Sequence, residues 1–331
     1  MNLPASSGAY GATDPLFLLL AALALEAYAG DVIGRLPRVP HPRAGVVRLA
    51  RALDRALNRP ASSQRALILR GGAVAVLVTF LAAAVGMALS IATRDLPFLW
   101  LIELLLVASF LGQRAAGRRG LAISRALERG RLGDARNDLN ALAGELLDPA
   151  DIERMDRREV GLSTVAGLGE RLMSAVVAPA FWFVLLGLPG LFGQQALRSY
   201  ATVVSTGNRP GGGGYRRGTE GDFALPAVRL DAALDWIPDK IAGVVLVLAA
   251  LFVPTSDPLN AARRLPRGQW WSIAAIGGAL RLAARRDASL STAASPDARQ
   301  VGRAIGLFAV ACLIHGGFLA ALLVLRQLGA S

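Results

Sequence analysis

A chain of 331 residues that is 53% hydrophobic, 18% charged and positive in mean hydropathy (+0.45) is too apolar for a soluble protein of its size. Its net charge of +12 comes almost wholly from arginine, and Lys240 is the sole lysine. Basic clusters without interleaved aromatic residues lack the stacking surface that single-stranded nucleic acid would need, a lone Cys312 excludes a disulfide framework, and only His41 and His315 are present, which excludes a zinc centre built on several imidazoles.

From the N-terminus, residues 1–13 are polar, and apolar runs follow at Pro15–Ala29, Gly71–Ala92, Pro97–Gly112, Val176–Leu197, Ile241–Pro254 and Ile305–Leu325. A helix crossing a bilayer takes about 20 residues, so the first and fifth runs are short and must extend or lie partly in the interface. The runs predict an all-α, polytopic integral membrane protein with five or six transmembrane helices, one membrane domain over residues 1–331. The first run has no basic segment before it and a weak cleavage pattern, so it is expected to stay as a membrane helix.

The connections carry the polar chemistry. Gly30–Arg70 begins with Asp31, turns at His41-Pro42, and continues as Val46–Asn58. There Val46, Val47, Leu49, Ala50, Leu53 and Leu57 share one face, with Arg48, Arg51, Arg55 and Arg59 on another, which predicts an interfacial helix whose arginines reach lipid headgroups. Arginines crowd Gly30–Arg70 and Gln113–Arg171, so both are expected in the cytoplasm, the N-terminus outside, and the protein in the inner membrane. Thr93–Leu96 is short enough to make a hairpin of the second and third runs.

Residues 113–171 are expected to form a cytoplasmic helical subdomain. Leu121–Leu147 reads as two helices broken near Gly130, and Pro149–Leu168 as a third, capped by Asp148. In Val176–Leu197 the Leu188-Pro189-Gly190 step breaks helical geometry, giving one kinked span or a re-entrant hairpin. The first puts Arg198–Lys240 outside and the second returns it inside. Residues 208–221 read as a flexible glycine-rich loop; four glycines precede Tyr215-Arg216 rather than a Walker ending. Asp231 and Asp235, four apart, share a helix face, with Trp236 at interface depth. Ala261–Arg303 is a second basic cytoplasmic stretch.

Several pieces in order carry a resemblance. They are Gly30-Asp31, Leu36-Pro37, His41-Pro42, Gly133-Asp134-Ala135-Arg136, Val176-Val177-Ala178-Pro179-Ala180-Phe181-Trp182, Gly187-Leu188-Pro189-Gly190, Arg229-Leu230-Asp231, Trp236-Ile237-Pro238 and Arg286-Asp287-Ala288. Together the chain resembles the CobD/CbiB family of cobalamin biosynthesis, adenosylcobinamide-phosphate synthases, with AmpE-type membrane proteins as more distant relatives. The resemblance implies a membrane enzyme joining a corrinoid carboxyl group to the amine of aminopropanol or its phosphate. Amide formation from a free carboxylate is uphill in water, so ATP and magnesium are expected if the chain is catalytic.

The resemblance has gaps at polar positions. Glu170 remains, but Ala166 stands for a family Glu, Arg171 for Asn, and Ser174-Ala175 for Asp-Gly. An Asn-Thr-x-Asp-Ser step falls on Arg198-Ser199-Tyr200-Ala201-Thr202, and Ala232 stands where a second Asp follows Asp231. The resemblance implies His41, Glu170 and Asp231 as catalytic residues, Arg229 and Arg286 as phosphate-binding residues, and Asp31 and Asp287 as metal ligands. Expected partners are a corrinoid intermediate, membrane lipid and other cobalamin-pathway enzymes, with no nucleic acid. The alternatives are a non-catalytic paralogue that binds a corrinoid or aids membrane assembly, and an AmpE-like signalling protein.

Overall fold

The computed structural model describes residues 14–33, 42–58, 63–95, 100–143, 147–206, 221–265, 270–284, 290–291 and 298–329. The helices are α1 (Pro15–Ile33), α2 (Pro42–Leu57), α3 (Gln64–Asp95), α4 (Trp100–Phe110), α5 (Gln113–Glu128), α6 (Leu132–Ala143), α7 (Pro149–Arg154) and α8 (Arg157–Leu172). A π-helical turn, Met173–Val177, leads into α9 (Ala178–Thr206), then α10 (Leu225–Leu234), α11 (Trp236–Ala250), α12 (Pro258–Arg264), α13 (Trp271–Ala279) and α14 (Ala298–Leu328). A two-residue strand pair, Ala283–Ala284 with Leu290–Ser291, is antiparallel. Among the described residues four helical segments are long and apolar enough to cross a membrane, with Pro15–Gly30 a shorter apolar helix. The protein is an all-α polytopic membrane protein. The loop expected at 208–221 falls outside the described residues but for its last residue, Gly221, which precedes α10.

The segment Arg157–Ser205 is not one crossing. α9 contains Gly187 at φ 68° and ψ −152°, a conformation that side chains disfavour, two residues before Pro189. A continuous helix would separate Glu170 from Arg198, 28 residues on, by about 42 Å; instead their side chains form an ion pair. Gly112 N–H donates to the Ala175 carbonyl at 3.1 Å, and nearby Phe110 meets Phe192 edge-on with ring centroids 5.2 Å apart. The chain therefore folds back at Gly187 as a helical hairpin, and Arg198 returns to the level of Glu170 near the C-terminal end of α8. This resolves the two options that the Pro189-Gly190 step left open. α3 packs along the returning arm so closely that a Cβ on Gly86 would sit 2.7 Å from the Leu188 carbonyl oxygen.

The centre of the molecule is α8, packed by α5, α6, α13 and α14. Val160, Val165, Ala166, Leu168 and Leu172 are wholly buried in this core. A second apolar cluster joins α3, the returning arm of α9 and α10, with Val74, Val78, Tyr200, Ala201 and Phe223. α2 lies against it through Ala50, Val46, Leu53 and Leu57. Leu49, expected on the same face, is instead 45% exposed, because it sits at the flank of that stripe beside Arg48.

Two further expectations need correction. Pro149–Leu168 is not one helix. Asp148 does cap α7, accepting from Ala150 N–H at 3.0 Å, but the chain extends at Met155 and Asp156 starts α8. The Asp156 side chain accepts from Glu159 N–H (2.7 Å) while the Glu159 side chain accepts from Asp156 N–H (2.9 Å), a capping box that terminates one helix by nucleating the next. Arg136 donates to the Met155 carbonyl freed by the break, at 3.0 and 2.6 Å. The stretch Ala261–Arg303 is likewise not wholly a polar connection. It holds α13, whose residues Ser272–Ala279 are all buried against α8, α11 and α12.

Candidate functional site

Three aspartates at i, i+4 and i+8 line one face across the α10–α11 junction. Asp235 N–H donates to the Asp231 carbonyl (2.9 Å) and Asp239 N–H to the Asp235 carbonyl (2.8 Å), so helical geometry continues and the three side chains stay in register. All three are buried, at 5%, 0% and 4% exposure for Asp231, Asp235 and Asp239. Charged groups withdrawn this far need partners.

The partners come from three other elements. The returning arm of α9 supplies Gln194 and, one turn later, Arg198. An Arg198 terminal nitrogen donates to Asp235 Oδ2 at 2.8 Å and the other to Glu170 Oε1 of α8. Gln194 Nε2 donates to Asp235 Oδ1 at 3.3 Å. At the far end, Asp239 receives the start of α13: Trp271 N–H at 2.7 Å, Ser272 N–H at 3.1 Å and Ser272 Oγ–H at 2.6 Å. Lys240, next in sequence, lays its ammonium 4.0 Å from the Trp271 ring centre and 4.7 Å from that of Trp236.

Of the residues singled out from sequence, the structure brings Glu170 to Asp235 through Arg198 and buries Asp231 one turn from Asp235. Arg229 is exposed on α10, on the side away from Asp231. His41, Arg286 and Asp287 fall outside the described residues, and Asp31 lies in the last turn of α1 with its side chain outside them. Sequence reasoning passed over Arg198, counted only as a lost Asn, and over Asp239 and Gln194. The four-residue spacing that linked Asp231 to Asp235 extends to Asp239 and could have found it.

Three of the replaced positions are accounted for by packing or hydrogen bonding. Ala166 and Ala201 are buried in the two apolar clusters, where a charge would have no partner. Arg171 turns from the cluster and donates through Nε to the Leu142 carbonyl at 2.7 Å, near the C-terminus of α6. Between α5 and α6 an open cleft of about 390 Å³ is lined by Arg125, Arg129, Arg131, Asp134 and Asp138, and of the expected site residues that are described, Glu170, Arg229 and Asp231, none lines it.

A magnesium ion needs several oxygen ligands with room for water. Among the described residues no three His, Cys, Asp or Glu side chains gather as a metal's ligand set. The acids that do converge, Glu170 and Asp235, meet a guanidinium. These residues as arranged do not fit a bound metal.

Comparison with known proteins identifies the family. Residues 19–313 match the family described as CobD/Cbib protein. Three curated relatives are each named Cobalamin biosynthesis protein CobD. That of Sinorhizobium sp is 28% identical over 333 residues, covering 93% of this chain and 98% of the relative. That of Klebsiella pneumoniae subsp. pneumoniae is 26% identical, covering 75% of this chain and 76% of the relative. That of Brucella anthropi is 27% identical, covering 74% and 70%. No solved structure matches. With the family match running from α1 into α14, the chain belongs to the CobD/CbiB family and is a membrane protein of cobalamin biosynthesis.

Proposed function

We propose that this protein closes the amide between a corrinoid carboxyl group and the amine of aminopropanol or its phosphate, at the inner membrane, with its basic connections and the α5–α8 helices in the cytoplasm. The observation that carries the reading is the burial of Glu170. The sequence alone leaves Glu170 as a solvated helix charge; in the fold it is 4% exposed and joined to Arg198 and Asp235. Amide closure needs a group that takes a proton from the attacking amine. Glu170 and Asp231 are the acids assigned to that work, with His41 acting at the substrate and Arg229 and Arg286 holding phosphate. Activation by ATP and magnesium belongs to the same reading: ATP would phosphorylate the carboxyl, so that one of its oxygens leaves with phosphate as the C–N bond forms and the amine gives up its proton, and Asp31 and Asp287 would hold the metal.

A second reading, a non-catalytic paralogue that holds a corrinoid or a partner enzyme, is favoured by a different observation. Ala166 and Ala201 are absorbed into apolar packing, and Arg198 neutralises acids that a catalyst would leave for its substrate. One experiment separates the two. The gene is expressed in a strain lacking its own synthase, and membranes are assayed for the amide product. Growth with product is the expected result. No product despite normal membrane expression rejects the enzyme, and retention of a corrinoid by the detergent-purified protein then supports the binding role.

A further inference from the structure

The Glu170–Arg198–Asp235 triad carries a consequence that neither function requires. Two carboxylates from elements far apart in sequence, α8 and the α10–α11 junction, converge on one side chain, and all three side chains are nearly inaccessible, at 6% (Glu170), 5% (Arg198) and 0% (Asp235) exposure. Two anions brought this close repel each other and lose their hydration, so a cation must lie between them. Arginine suits the place: its planar fork gives one terminal nitrogen to each acid, which a lysine ammonium cannot do with fixed geometry. Gln194, one turn before Arg198, donates Nε2 to Asp235, and its buried Oε1 has no hydrogen-bond partner among the described residues. Without the guanidinium, two carboxylates would face one buried space, an oxygen-only donor pair suited to a hard divalent cation.

We infer that Arg198 is the resident cation of a buried oxygen-ligand site made by Glu170 and Asp235, so that the chain supplies from its own side chain the positive charge that a divalent metal ion would otherwise bring there. The site is closed to metal in the native protein and opens when the guanidinium is removed. The inference stands whichever of the two functions the chain performs.

The test compares the detergent-purified wild type, Arg198→Ala, and Arg198→Ala combined with Glu170→Gln and Asp235→Asn. Bound Mn2+ is counted by electron paramagnetic resonance, and thermal unfolding is followed with and without guanidinium at sub-denaturing concentration. Arg198→Ala is expected to gain a bound Mn2+ that the wild type lacks, to lose thermal stability, and to recover it with either guanidinium or Mn2+. The triple variant is expected to bind no such Mn2+ and to melt above Arg198→Ala. Folded Arg198→Ala that takes up neither cation overturns the inference. So does Mn2+ binding by the wild type that Glu170→Gln or Asp235→Asn abolishes. Should Arg198→Ala fail to fold, the triple variant decides: folding by it upholds the inference, and failure by it removes the acids as the reason for the arginine.

Discussion

α3 and the α10–α11 junction use opposite rules of burial. On α3, Leu69 and Phe80 are 72% and 70% exposed and most large apolar side chains face outward, whereas at the junction Asp235 is fully buried. In water this inversion would be costly twice, through exposed hydrocarbon and through desolvated charge. In lipid the first cost vanishes, because hydrocarbon outside the protein resembles hydrocarbon inside it. The second cost then directs the fold: charges collect where they can satisfy one another, and the apolar elements are left to face the solvent that suits them.

The largest expected effect comes from leaving a buried charge without its partner. Glu170→Ala strands one arm of the Arg198 fork and is expected to cost about 3–5 kcal/mol, read by denaturant unfolding in micelles. Phe80→Ala, on the outward face of α3, is expected to stay within about 0.5 kcal/mol despite deleting a whole aromatic ring. Equal costs for the two would mean that α3 is packed against protein, and the inside-out arrangement would be lost.

The next effect concerns the hairpin that builds the charged centre. Gly86→Leu must push its side chain into the Leu188 carbonyl, where overpacking costs about 1–3 kcal/mol. The reversal itself is checked without stability data. With Cys312→Ser as background, Phe110→Cys and Phe192→Cys are expected to form a disulfide in membranes. A straight helix through Ala175 would carry residue 192 about 25 Å from it, and no crosslink would form.

How much of this could be read from sequence depended on whether the signal was local. The apolar runs, the break at Gly130 and the Asp148 cap each follow from neighbouring residues and were legible. The Asp156–Glu159 capping box was equally local but hidden inside a run that read as continuous helix. α13 escaped because a nine-residue apolar stretch is too short for a span and lies beside arginines. The direction of the chain after Pro189-Gly190 could not be read, since that step permits a kink or a reversal and only the meeting of Glu170 with Arg198 decides. Arg198 was invisible for a related reason: its role rests on partners 28 and 37 residues away. The capping box gives a moderate, local test. Asp156→Ala is expected to cost about 1 kcal/mol and to fray the first turn of α8, seen as faster amide exchange there, with the Glu170 centre unchanged.

The smallest effect lies outside both the lipid face and the buried centre, where a carboxylate meets water. Asp257 caps α12, accepting from Asn260 N–H at 2.9 Å, and takes Arg281 Nε at 3.3 Å. The Asn260 amide holds its carboxyl below the ordinary value of 3.8, and Arg281 adds to the lowering. A depressed folded value means that the ionised form stabilises the native state. That contribution is complete above the unfolded value and is lost as pH falls through the lower folded one. Acidification below about pH 4 should therefore loosen the α12 cap, read as faster amide exchange over Pro258–Arg264. Asp257→Asn keeps an oxygen for the cap and removes the titration, so its exchange should no longer respond to acid in that window. An unchanged acid response in Asp257→Asn would assign the titration to another carboxylate.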